Sequence, residues 1–287
     1  MYDEINTRRV ESYGTPQGLM AVKTHIKIFG ERHTGTNFLA ELCELNFDVP
    51  VISSRAVSYV KAFYRLKPLM PYTLHWRILQ GLRAATFAAR YKTTWGWKHG
   101  SVLSDPSDPR FYPDDLAILC VVKHPIAWAM SLKRRPYETF VHPARIERLS
   151  LAEFVRSPWR PVPFENHKAV FPTVMDLWNV KVRSYFELAS VRPVMVVRYE
   201  DLLDDPENAV SSIAEFYGLS RRPAFSNASS GAKRNWASQE GQQKKDFKHY
   251  RDYYLQERWR SKLPENYLSI FADIVDPELV QRLRYTL

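Results

Sequence analysis

The residues best placed by type and spacing to do chemistry form one short segment, Gly30-Glu31-Arg32-His33-Thr34-Gly35-Thr36-Asn37. It follows the β-like run His25–Phe29 and leads into Thr36–Leu45, where Phe38, Leu39, Leu42 and Leu45 share one helical stripe. In a strand–loop–helix setting, consecutive backbone N–H groups curl around phosphate oxygens and the helix turns its positive end toward them. The same glycines can also bound a tight turn that binds nothing. A nucleoside triphosphatase loop would read Gly-Lys-Ser/Thr where this chain has Gly35-Thr36-Asn37. The apolar run 116–123 ends in Lys123, where such an enzyme often places a magnesium-binding aspartate. A cation there suits an anion held directly by protein, and magnesium-dependent kinase chemistry is the poorer reading.

The elements that must position these residues alternate along the chain. Leu116–Lys123 is continuously apolar, as a central strand covered on both faces requires. His124-Pro125 ends it, and Ile126–Lys133 begins a helix with proline near its first turn. Val49–Ile52 reads as a second strand and Thr94–His99 as a short strand or strand end. Residues 55–91 read as one or two basic, aromatic-rich helices broken near Pro68 and Pro71. Residues 136–170 are expected to be loops with one short helix at Leu151–Arg156. Val174–Ala189 is an amphipathic helix followed by the strand Val194–Arg198, and Glu207–Tyr217 is a helix capped by Gly218. Residues 220–246 are loop-like, and 248–287 hold two or three C-terminal helices. This alternation predicts an α/β fold with a mainly parallel central sheet flanked by helices. With no repeat or linker, residues 1–287 read as a single domain, with 1–23 as an N-terminal extension.

The chain has 287 residues, a formal charge of +10 and a pI of about 9.5, a balance that favours anionic ligands. The charge is uneven: no acid lies between Asp48 and Asp105, a stretch with nine Lys or Arg. Cys43 and Cys120 both sit in apolar segments, which predicts buried, reduced thiols and neither a disulfide framework nor zinc. The N-terminal residues have no apolar signal region, and no run is long enough to span a membrane. A cytoplasmic protein is the simplest expectation.

Taken in order, the loop, Trp97-Lys98-His99, the segment Val121–Ser131 and Arg198-Tyr199-Glu200-Asp201-Leu202 resemble the sulfotransferase family that uses 3′-phosphoadenosine 5′-phosphosulfate (PAPS). The resemblance implies a P-loop, nucleotide-binding fold over about residues 24–219. It implies that Thr34, Gly35, Thr36 and Asn37 hold the 5′-phosphosulfate and that Phe38 stacks on adenine. His33 stands where the family has a lysine beside the leaving phosphate, and either Arg32 or His33 is left to supply that charge. Lys123 and Ser131, eight residues apart, match the family's 3′-phosphate pair, with lysine in place of the more frequent arginine. Tyr199 is implied to lie by the adenine, whereas Glu200 and Asp201 fit better as caps of the following turn. Lys233 and Arg234 are candidates, with Lys244 and Lys245 as competitors, for the basic segment that closes on the 3′-phosphate.

His99 matches the family's general base, and an imidazole near its ordinary pKa of about 6.5 suits proton removal from a hydroxyl. Lys98 is expected to assist from the acceptor side. The implied reaction is in-line displacement at sulfur without a metal, releasing adenosine 3′,5′-bisphosphate. Residues 55–92 and 136–170 would bind the acceptor. The acid-free block 55–92 suits a glycan, a lipid-linked sugar or a peripheral membrane contact, or else is simply solvated. A nucleotide phosphotransferase and a nucleic-acid-binding protein are the rival classes, and the latter has no recognised motif here.

Overall fold

The computed structural model describes residues 21–52, 71–136, 143–167, 169–228 and 246–287. Its centre is a parallel three-stranded sheet in the order β1 (His25–Phe29), β2 (Leu116–Val122), β3 (Met195–Arg198). Phe29 pairs with Cys120 and Val122 with Arg198, so all three strands point their C-terminal ends at one edge. All seven residues of β2 are buried, as its unbroken apolar run requires. The chain is thus α/β with a parallel sheet flanked by helices.

The helices follow from local chemistry. α1 (Thr36–Asn46) starts directly from Gly35, which sits in the left-handed region at φ 96°. α2 spans Tyr72–Ala89 and α3 is the single turn Tyr91–Thr94. α4 (Pro125–Arg134) begins on a proline, which lacks an N–H that the first turn cannot use. α5 (Pro143–Arg148) is followed by α6 (Leu151–Arg156), opened by a reciprocal Ser150–Glu153 capping box. α7 (Val174–Val191) opens the same way on Thr173 and Asp176. α8 (Tyr199–Asp204) leaves β3 directly. α9 (Pro206–Tyr217) runs from the Asp205 cap to left-handed Gly218. α10 (Phe247–Leu255), α11 (Tyr267–Phe271) and α12 (Pro277–Arg282) complete the C-terminal helices. One apolar cluster runs from Ile26 to Tyr285, with a smaller one of Phe87, Trp97, Val162 and Phe164 beside α2.

Several sequence expectations need correction. Val49–Ile52 contributes only a parallel bridge, Val51 to Ile26. Thr94–His99 is not a strand: Thr94 ends a helical turn, and Trp95 (φ 50°) and Gly96 (φ 81°) turn the chain through left-handed backbone. Residues 136–170 hold two short helices, not one. Glu200 and Asp201 lie inside α8 and do not cap a turn. Cys43 and Cys120 are free and buried, as expected. Residues 53–70 of the basic block, and Lys233, Arg234, Lys244 and Lys245, lie outside the described residues. Among the described residues, no helix is long and apolar enough to cross a membrane.

Candidate functional site

The phosphate-type loop leaves β1 at Gly30, beside the C-terminal ends of β2 and β3, where open α/β sheets place ligands. A Cβ on Gly30 would come within 2.6 Å of Val121 and 2.7 Å of Thr34 and Thr36. Glycine is therefore required by close packing there. Thr34 closes the turn, donating its N–H (3.2 Å) and hydroxyl (2.7 Å) to the Glu31 carbonyl. Gly35 is fixed twice over, by its positive φ and by the Tyr199 ring, 2.2 Å from where a Cβ would stand. Tyr199 thus lies flush against the loop. No side chain caps the N-terminus of α1.

Residues 97–99 lie against this loop although they form no strand. The Gly30 N–H donates to the Lys98 carbonyl at 2.9 Å. His99 Nδ1 donates to the Gly30 carbonyl at 2.6 Å, which leaves Nε2 of the neutral ring as the lone-pair nitrogen. Burial, with the Lys98 charge second, holds the His99 pKa well below its ordinary value, so the ring is neutral at pH 7. Lys98 Nζ donates to Asn37 Oδ1 at 2.5 Å, which places this cation on the loop itself. Buried Lys27 anchors the preceding turn, donating to the carbonyls of Thr94 (2.5 Å) and Gly96 (2.7 Å).

The two residues expected to supply charge beside the leaving phosphate are otherwise engaged. Arg32 is fully buried beneath the loop, ion-paired with Glu31 (2.6 Å) and Glu165, with Trp97 stacked on its guanidinium at 4.9 Å. His33 donates Nε2–H to the Arg135 carbonyl at 2.8 Å. Burial outweighs that bond and brings its pKa down to about 3, so it is uncharged at neutral pH. Lys98 places a cation at Asn37, where the loop enters α1.

Sequence reasoning missed the rest of that buried network. Lys181, from α7, pairs with Glu31 and with Glu165 (3.5 Å) and donates to the His99 carbonyl at 2.5 Å. Two carboxylates and two cations are therefore buried together, with net charge zero. A signal existed: Lys181 shares the apolar face of α7 with Trp178, Val182 and Tyr185, an odd place for a lysine unless it is paired.

Lys123 lies just past β2 and is 1% exposed. Its Nζ donates to Ser131 Oγ at 3.1 Å and lies 3.8 Å from the ring centre of Tyr254 and 5.4 Å from that of Tyr199. Among the described residues it forms no ion pair with a carboxylate. Tyr254, from α10, was not anticipated. Burial raises its phenol pKa, but the Lys123 charge and hydrogen bonds with Lys123 and Ser131 bring the net value below the ordinary one. Phe38 is buried, stacked on Phe247 at 5.8 Å and edge-on to Tyr199 at 6.4 Å. Glu200 ties the strand ends to the C-terminal segment, accepting from the His124 N–H (3.0 Å) and the Tyr285 hydroxyl (2.9 Å).

The arrangement brings together the Gly30–Asn37 loop, a neutral imidazole, a lysine bonded to the loop and a buried lysine that, among the described residues, pairs with no carboxylate. Residues 150–283 match the family described as Sulfotransferase domain, a segment that includes Glu165, Lys181, Tyr199 and Tyr254. The match covers less than half of the chain, and of the motifs read in order from the sequence it includes Arg198–Leu202. No curated protein matches the chain. Nine chains of solved structures match. One is the sulfotransferase domain from the Synechococcus PCC 7002 olefin synthase, which is 15% identical, covers 96% of this chain and 100% of its own, and has a TM-score of 0.45.

Proposed function

We propose that the chain transfers a sulfuryl group from PAPS to an acceptor hydroxyl or amine. The observation that carries this reading is Lys123. A buried ammonium that, among the described residues, has the Ser131 and Tyr254 hydroxyls and aromatic faces but no carboxylate around it is costly unless an anion completes its shell. It sits at the same sheet edge as the loop, so two anionic groups are accommodated at once. A nucleotide phosphorylated at both the 3′ and 5′ positions meets that requirement, and adenosine 5′-phosphate alone does not.

PAPS supplies a sulfuryl group on a good phosphate leaving group, and the residues present fit its two charged ends. Gly35, Thr36 and Asn37 offer donors to the 5′ end, with Thr34 closing the turn that presents them, while Lys123 and Ser131 hold the 3′-phosphate. Tyr199, against Gly35 and 5.4 Å from Lys123, is the aromatic surface for the base, with Phe38 edge-on to it. His99 Nε2 takes the acceptor proton as the acceptor oxygen bonds to sulfur. The sulfur–oxygen bond to phosphate breaks, and the electron pair leaves with the phosphate. Lys98 and the loop amides neutralise the charge that grows there. The Gly30 carbonyl fixes the His99 tautomer, and Lys181 fixes its backbone. Lys233 and Arg234 remain candidates for closing on the 3′-phosphate. The acceptor, a glycan or lipid-linked sugar in this reading, would approach on the His99 side.

Calorimetric titration tests the proposal with adenosine 3′,5′-bisphosphate, adenosine 5′-phosphate and ATP with magnesium. Tight binding of the bisphosphate alone is the expected result. A preference for ATP with magnesium, or no nucleotide binding, would overturn it.

A further inference from the structure

α2 is amphipathic in the wrong sense. A helix on the surface of a globular protein turns charge outward and apolar residues inward. Here the buried face carries His75, Gln80, Arg83 and Thr86 beside Leu79 and Phe87. The outward face carries Leu74, 48% exposed, and Ile78, 38% exposed, followed by exposed Gly81, Ala85, Ala88 and Ala89. Leu74 and Ile78 are one turn apart, so they form a pair and not two isolated contacts. The outward charges are all positive: Arg77 between the two apolar side chains, and Arg90 and Lys92 at the far end. No acid occurs within the acid-free stretch that contains them.

We propose that this face docks on the surface of a bilayer containing anionic lipid. An apolar ridge with cations alongside matches the acyl–headgroup boundary of such a membrane. Nucleic acid would use the cations but give Leu74 and Ile78 nothing to bury against. A second copy meeting the same face across a twofold axis would set Arg77, Arg90 and Lys92 against like charges. The helix is about 27 Å long, enough to lie along a surface and too polar on its inner side to enter one.

The position of α2 links this surface to the site. On its inner face, Arg83 stacks on Phe164 (4.8 Å) and Trp97 (5.9 Å), and Trp97 meets His99 edge-on at 4.9 Å. One aromatic ring therefore separates the docking helix from the imidazole. If the sulfuryl-transfer reading holds, on which this last step rests, the acceptor hydroxyl belongs to a membrane-borne molecule.

The test is co-sedimentation of the full chain with vesicles of phosphatidylcholine alone and of phosphatidylcholine and phosphatidylglycerol in equal parts. Binding is expected to the second only. Leu74→Asp with Ile78→Asp should lower it by more than about tenfold, and Arg77→Gln by about fivefold. Both variants change exposed side chains, and bisphosphate affinity measured on the same samples checks that they remain folded. Equal binding to both vesicles, binding to neither, or full binding by the double variant would each overturn the docking surface. Vesicle binding without bisphosphate binding would leave the surface standing and remove the sulfuryl-transfer reading.

Discussion

Two groups of buried cations flank the phosphate-type loop, and they are balanced in opposite ways. Beneath it, Arg32 and Lys181 are matched by Glu31 and Glu165. Beside it, Lys123 has Ser131 and the rings of Tyr254 and Tyr199 but, among the described residues, no carboxylate. Matched charges in a dry interior hold backbone in place. Lys181 ties the loop to the base segment, because it pairs with Glu31 and also donates to the His99 carbonyl. An unmatched charge has the opposite character: it is a fixed field waiting for an anion. The difference predicts that one group governs folding and the other governs ligand binding.

Breaking the matched network should have the largest effect. Lys181→Met leaves two buried carboxylates with one cation, and is expected to lower stability by about 3–5 kcal/mol in urea unfolding. Adding Glu165→Gln should recover part of that loss, because it removes the surplus charge. If Lys181→Met were as stable as wild type, the network would not be the structural device described here. Lys123→Met should behave in reverse. No ion pair is broken, so stability is unchanged or raised, while adenosine 3′,5′-bisphosphate affinity falls by roughly 10- to 100-fold, the worth of a charge-assisted hydrogen bond. A stability loss with intact affinity would invert the comparison.

A pH titration sharpens it further. His33 and His99 have folded-state pKa values below the ordinary one, about 3 for His33 and well below normal for His99, both through burial first. The unfolded chain protonates them near pH 6.5 while the folded chain does not. Stability is therefore full above pH 6.5 and falls as the pH drops below it. The melting temperature of His33→Gln should fall less between pH 6.5 and pH 5 than that of wild type. An identical slope would mean that His33 is not held neutral.

How much of this was legible depended on whether the cause was local. β2 could be read because seven apolar residues in a row leave no other economical place than a sheet centre. α6 could be read because Ser150 and Glu153 announce its start, and Gly218 announces the end of α9. The segment 94–99 was misread because its turn depends on a left-handed tryptophan, Trp95, which no composition rule flags. The order of the motifs located the loop, His99, Lys123 and Tyr199 at one sheet edge. It could not show that Arg32 points beneath the loop, since Glu165 is 133 residues away in sequence and only the tertiary fold brings it there. The outward apolar face of α2 was hidden for the same reason: spacing finds a stripe, but not which way it faces.

The smallest expected effect concerns Tyr254, whose hydroxyl shares Lys123 and Ser131. If the unmatched cation draws on this phenol as a partial substitute for an anion, then a bound 3′-phosphate must compete with it. The lysine charge that lowers the Tyr254 pKa would be neutralised by the phosphate, so bisphosphate binding should move that pKa upward. Spectrophotometric titration of tyrosinate with and without bisphosphate reads the shift, and Tyr254→Phe should abolish that component of it. The same variant should change affinity only about threefold, because a neutral hydroxyl contributes about 1 kcal/mol net. A large affinity loss would make Tyr254 a principal ligand-holding residue. An unmoved tyrosine pKa would place the phosphate elsewhere and return Lys123 to a structural role.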